Sequence, residues 1–200
     1  MSMRTGSARL AGALAPVSAT IAAFAAGAAL EGYSHRSFPL AYLGAEGIPG
    51  AAAFNLFAFV LPGLLAFAVA WQLRAGLSMQ ASWRARIGAR LIALAALGYA
   101  AQGLLPLRPE EFDAVVNGLH ATAWMLWWIA FLSGAALLAV GGVPRALART
   151  CALAAIVIAL LVLAPWGGAM TAWAPRLAFF VWLLWTACVP ALAQPPASSA

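Results

Sequence analysis

Six stretches of about twenty apolar residues follow one another along this chain, and that repetition limits its fold more than any other feature. They run over 8–30, 51–73, 86–105, 114–140, 146–165 and 171–192. A helix rises about 1.5 Å per residue, so each stretch can cross the roughly 30 Å hydrocarbon layer of a bilayer. None alternates apolar and polar residues as a transmembrane barrel strand would. The chain is 65% hydrophobic and 8% charged, whereas soluble domains carry about 25% charged residues. The expectation is an all-α, polytopic membrane domain of six transmembrane helices over 1–193, with a disordered tail over 194–200.

The few charges are distributed unevenly. All 11 basic residues are arginine. Arg4, Arg9, Arg74, Arg84, Arg86, Arg90, Arg145 and Arg149 fall at alternate ends of the apolar stretches, with no acid among them. Arg36, Arg108 and Arg176 fall at the other ends, with Glu31, Glu46, Glu110, Glu111 and Asp113. The positive-inside rule places both termini in the cytoplasm and the 31–50 and 106–113 connections outside. A bacterial inner-membrane, multi-pass location is expected. Scattered arginines are not a nucleic-acid footprint, so no nucleic-acid partner is expected. Arg4 and Arg9 precede an apolar run ending in a small-residue segment near 25–30, as in a signal peptide. That run is long enough to span, and the first helix is read as retained. Cys151 and Cys188 sit in apolar segments and read as free thiols packed as small hydrophobes.

The one long segment that interrupts this pattern with polar residues is EGYSHRSFPLAYLGAEGIPG at 31–50, read as a cap over the outer end of the bundle. Beneath it the intramembrane polar residues Asn55, Gln102, Asn117 and His120 are all expected in the outer third. Polar groups in a bilayer face a partner or a water-filled cavity. Two outcomes follow: interhelical hydrogen-bonding, or a shared pocket. The pocket's ligand-binding set is Tyr33, Ser34, His35, Arg36, Asn55, Gln102, Asn117, His120 and Trp124. Asn117, His120, Trp124 and Trp127 share one helical face. Arg36, Arg108 or Arg176 could clamp a phosphate or carboxylate, while pairing with the acids in a solvated rim is the default. Trp71, Trp83, Trp166 and Trp173 read as an interfacial belt, and Trp124, Trp127, Trp128, Trp182 and Trp185 as helix packing or an acyl-chain groove. The first stretch, rich in Ala and Gly, is expected to pack centrally. Pro62 should kink the second helix at mid-membrane.

Catalytic candidates are Glu31, His35 and His120. A Glu and two imidazoles are zinc ligand types, and two imidazoles can hold a b-type haem. The spacing of Glu31 and His35 puts them on one face only if the first helix continues through Gly32. Ser34 or Ser37 with His120 and Glu31 or Asp113 would make a hydrolase set, but no GxSxG elbow is present.

The segments YSHRSFPLAYLGAEG, FNLFAFVLPGLL, GLLPLRPEE and NGLHATAW together resemble the bacterial six-helix family called domain of unknown function 998. The matching residues are Tyr33, Ser34, His35, Leu43, Gly44, Asn55, Gly63, Pro106, Glu110 and His120. Ala41 stands where the family pattern has a serine, which weakens a nucleophile there. The resemblance runs from about residue 10 to 190. It implies six helices, an architecture similar to the damage-regulated autophagy modulator membrane proteins and, through wider relatives tied to lipid remodelling, a lipid connection. The leading expectation is an outward-facing polar pocket that binds, and extends to processing, a lipid or other small amphiphile, with membrane lipids as partners and no cofactor. The alternatives are a zinc or haem enzyme built on the two histidines, a small transporter, or a structural partner protein.

Overall fold

Small residues decide how this chain packs. In the computed structural model, which describes residues 2–111 and 113–193, the elements are α1 (Ser2–Ala29), α2 (Ala51–Ala75), α3 (Trp83–Leu104), α4 (Val115–Ala139), α5 (Arg145–Leu163) and α6 (Met170–Leu192). Each is long and apolar enough to cross a membrane, and the described residues contain no strand. The helices begin and end within a few residues of the six apolar stretches. The tail expected over 194–200 lies outside the described residues.

Helices α3 and α4 meet backbone to backbone. A Cβ on Gly88 would stand 2.8 Å from the Gly134 carbonyl oxygen, and one on Gly134 would stand 2.9 Å from that of Gly88. Apolar side chains gain little by leaving lipid for a helix interface, so close backbone approach of this kind carries much of the association. The helix with its faces covered is α3: 56% of its apolar window is buried, against 22% for α1. The expected central position of α1 is therefore corrected. Ala11, Ala15 and Ala19 form a single smooth stripe facing inward, while Leu10, Leu14, Val17, Ile21 and Phe24 face outward. One stripe gives α1 one packed side, against α2 and α6.

Pro62 acts on α2 as a hydrogen-bonding defect. It has no N–H to return to the Ala58 carbonyl, and Leu56–Val60 widen into a π turn. The Ala58 oxygen instead accepts from Tyr99 Oη at 2.9 Å, and the Phe57 oxygen accepts from Ser18 Oγ at 2.7 Å. A buried carbonyl left unpaired would cost about 1–3 kcal/mol, so neighbouring helices supply the partners that the proline removes.

Tyr99 also belongs to the aromatic core. Its ring centroid lies 4.6 Å from that of Trp182 and 5.0 Å from that of Phe179, and Trp127 lies 4.5 Å from Phe179. Trp127, Trp182 and Trp185 are buried, so these tryptophans pack helices. Trp71, Trp83 and Trp166 are exposed near helix ends, while Trp173 is half-buried beside Arg176. Cys151 is a buried free thiol; Cys188, expected to pack inside, is a free thiol on the surface.

Alternating helix direction creates two poles. Ala8, Leu73, Ser82, Gly141, Leu147 and Pro190 meet around one cavity. Arg9, Arg74, Arg84, Arg86, Arg90, Arg145 and Arg149 belong to this arginine pole. At the opposite, acidic pole the cap meets α6 and the α3–α4 connection through Arg176 to Phe38 and Glu46 to Leu107. All five carboxylates of the chain lie in its connections.

Candidate functional site

The cap begins where α1 stops at Ala29. Gly32 follows with φ 75°, a left-handed conformation that L side chains rarely adopt. Glu31 and His35 are thus not neighbours on one continuous helix. The chain then turns tightly: the Ser34 carbonyl accepts the N–H groups of Ser37 at 3.1 Å and Phe38 at 3.0 Å, and Ser34 Oγ accepts that of Arg36 at 3.3 Å. Pro39 leads into a short 3-10 turn, Leu40–Gly44. Glu31 is exposed.

His35 folds back onto α1. Its ring sits 5.4 Å from Phe24 and 5.0 Å edge-on to Tyr33, above Gly27, where a Cβ would stand 2.6 Å from Nε2. Arg176 reaches the same corner from α6. Its Nη2 donates to Tyr33 Oη at 2.6 Å and to the Phe38 carbonyl at 2.7 Å, and Nη1 donates to the Ala172 carbonyl at 2.6 Å. The solvated-rim role expected for Arg176 is corrected, because the residue is only 9% exposed and ties the cap to the bundle.

Burial raises the Tyr33 phenol, partly offset by the Arg176 charge. Burial first, and the Arg176 charge second, lower the His35 imidazole below its ordinary value. The folded protein therefore holds His35 neutral where the unfolded chain would already take up a proton. The stabilising share of His35 is complete above about pH 6.5 and is lost as the pH falls below it. Thermal melts should hold steady from pH 8 to 7 and drop toward pH 5.5. His35→Gln should flatten part of that drop; an unchanged profile would contradict the packing of His35.

Asn55, 8% exposed, stands one turn inside α2. Its Nδ2 donates to the Gly44 carbonyl at 2.8 Å. A Cβ on Gly44 would overlap the Asn55 carboxamide, so the Leu43-Gly44 pair and Asn55 form one structural unit. His120 and Asn117 do the same work for the α3–α4 connection. His120 Nδ1 lies 2.8 Å from the Leu105 carbonyl, which makes that nitrogen the protonated one. Asn117 Oδ1 accepts from the Arg108 N–H at 2.8 Å, and its Nδ2 donates to the carbonyls of Arg108 at 3.1 Å and Glu111 at 2.8 Å. Arg108 Nε bonds Glu46 Oε2 at 2.5 Å and so joins the two outer connections. That carboxylate, with Glu111, raises the Arg108 guanidinium still further above its ordinary value. The Gln102 side chain is buried with its amide nitrogen unpartnered, and Trp124 packs on Trp128 at 6.0 Å.

The expected site residues therefore fall into separate groups. Tyr33, Ser34, His35 and Arg36 gather where the cap meets α1 and α6. Asn55 holds the 3-10 turn and also borders the end of α3 at Gly103. Gln102, Asn117 and His120 gather at the α3–α4 connection. Among the described residues no group of three or more His, Cys, Asp or Glu could hold a metal ion. The set of Glu31, His35 and His120 does not assemble, because one imidazole lies on α1 and the other beneath Leu105. The same separation removes His120 as a base for Ser34 or Ser37.

Clefts open at this pole: a smaller one of about 380 Å³ beside Asn55, Glu46 and Pro106, and a larger one between the cap and α6. Ser34, Arg36, Ser37 and Pro39 form one wall and Gly168, Ala169, Thr171 and Ala172 the other, around an open space of about 580 Å³. Arg36 is exposed in it, and its guanidinium has no hydrogen-bond or ion-pair partner among the described residues. The other two arginines of this pole are committed to Glu46 and to the Tyr33 corner. Sequence alone misses Thr171, whose hydroxyl donates to the Trp166 carbonyl at 3.1 Å. Nothing in its own surroundings in the sequence pairs it with the cap. No family model matches this chain, and no curated protein or solved structure matches it.

Proposed function

We propose that this is a multi-pass protein of the bacterial inner membrane, with both termini in the cytoplasm, that binds the anionic head group of a lipid at its outer face. The one-sided arginines support the orientation through the positive-inside rule. The motif resemblance to the domain of unknown function 998 family supports the same architecture. The observation that carries the binding role is Arg36, the arginine of the acidic pole whose guanidinium has no partner among the described residues, in a cleft also lined by Ser34 and Ser37. A guanidinium fork presents parallel donors that match phosphate oxygens. Acyl chains would lie along the apolar exterior of the bundle, where Phe24, Leu177 and Phe180 are exposed.

Native mass spectrometry of the purified protein, titrated with phosphatidylglycerol, phosphatidylcholine and inorganic phosphate, tests this proposal. Phosphatidylglycerol should be retained preferentially. Arg36→Gln should weaken it at least tenfold, about 1.4 kcal/mol. Equal retention of the two lipids, or no effect of Arg36→Gln, would overturn the proposal. Retention of inorganic phosphate as strong as that of the lipid would show that the acyl chains contribute nothing.

A further inference from the structure

We infer that the arginine pole holds a second binding site, which takes a long-chain carboxylate. A cavity of about 780 Å³ opens there between the ends of five helices, with Ala8, Leu73, Ala85, Leu147 and Val189 among its walls. The 76–82 connection and the turn after α4 line its mouth. That volume falls within the range of roughly 300–1,000 Å³ that encloses one small-molecule ligand. It suits one acyl chain rather than the two of a phospholipid.

The chemistry of the lining and of the rim selects the occupant. Among the described residues the lining carries no charged side chain; its polar side chains are Gln72, Ser78, Gln80 and Ser82. Two of these are already engaged: Ser82 Oγ donates to the Gly141 carbonyl at 2.5 Å, and Gln72 Nε2 donates to Ser7 Oγ at 3.3 Å. The interior therefore favours an apolar body. Arg74 and Arg145 each follow a lining residue, and Arg84 lies between two of them. Arg74 and Arg84 rest on Trp71 and Trp83 at 5.4 and 5.5 Å, contacts that orient a guanidinium without neutralising it. Every acid of the chain is at the opposite pole. An apolar chamber opening at the arginine pole, with Arg74, Arg84 and Arg145 next in sequence to its lining but not part of it, complements a single apolar chain ending in an anion. This site stands apart from the outer cleft in residues and in position.

Equilibrium binding of radiolabelled oleate to the full-length protein in detergent tests it, with oleyl alcohol as the uncharged competitor. One saturable oleate per chain is expected, with oleyl alcohol at least tenfold weaker. Leu77→Trp and Ala81→Trp each put a large ring into the mouth from a connecting segment, where folding tolerates it best. Each should cut oleate binding at least tenfold, while Arg36→Gln should leave it unchanged. In the wild-type protein a diazirine-bearing fatty acid should cross-link within 72–85 and 141–147. Binding without saturation, equal competition by the alcohol, full binding in a folded filling variant, or cross-links confined elsewhere would each overturn the assignment. Loss of the Arg36 effect on phosphatidylglycerol would leave it standing.

Discussion

Arg176→Met is expected to release the cap from the bundle and lower stability by about 3–5 kcal/mol. Methionine keeps the apolar stem of arginine but removes every donor. Three short charge-assisted hydrogen bonds disappear together, to Tyr33 Oη, the Phe38 carbonyl and the Ala172 carbonyl. Hydrogen bonds from a charged donor contribute about 1.5–3 kcal/mol each, less than additively when they share a donor. The Phe38 carbonyl is then left without its partner in a half-buried corner. Denaturation in detergent should give the loss, and hydrogen exchange should rise across 33–44 more than in α3 or α4. Arg176→Lys should recover little, since one ammonium cannot reach three acceptors spread across a fork. A melt within a degree of wild type for Arg176→Met would show that the cap is held by other means.

Gly134→Leu should have a still larger effect. At Gly134 even a Cβ would stand 2.9 Å from the Gly88 carbonyl oxygen and 3.0 Å from the Leu91 side chain. The first of these is backbone, which cannot rotate away. The helices must separate or slide, because Gly88 and Gly134 each bring backbone against backbone across the α3–α4 interface. Overpacking a tight core costs about 1–3 kcal/mol for small insertions and more for a whole side chain. Gly134→Ala should fold with reduced stability. Gly134→Leu should fail to give a monodisperse protein, read by size-exclusion chromatography in detergent. Gly118→Leu, at a position where a Cβ meets nothing within 4 Å, is the matched control and should behave as wild type.

Much of the helical layout was legible because each helix long and apolar enough to span shows as an unbroken apolar run of about twenty residues. Helix 4 was expected over 114–140 and occupies Val115–Ala139; helix 6 was expected over 171–192 and occupies Met170–Leu192. Pro62 was legible as a disturbance but not as a π turn, since the outcome depends on Tyr99 and Ser18 arriving from other helices. Helix 1 looked central because small residues allow close approach from any side. Its larger residues are grouped on the other face, which the same sequence carries at Leu10, Leu14, Val17 and Ile21.

The candidate site was legible in its residues and not in their partners. Asn55, Asn117, His120 and Arg176 bond backbone groups of the connections. A backbone carbonyl leaves no trace in residue identity, so a polar side chain that holds a loop looks the same in sequence as one that awaits a ligand. The motif segments of the sequence show this directly. Leu43-Gly44 with Asn55, and His120 with the helix end before Pro106, are loop anchors in this chain. Unlike these anchors, the Arg36 guanidinium has no partner among the described residues.

The division between anchors and a ligand-facing arginine is open to one set of melts: wild type, Asn55→Ala, His120→Ala and Arg36→Ala, each with and without phosphatidylglycerol. Asn55→Ala and His120→Ala should melt lower, by the equivalent of about 1–3 kcal/mol, and should still be stabilised by the lipid. Arg36→Ala should melt with wild type and show no lipid stabilisation. Loss of the lipid response in His120→Ala or Asn55→Ala at unchanged stability, with Arg36→Ala responding normally, would reverse the roles assigned to these residues.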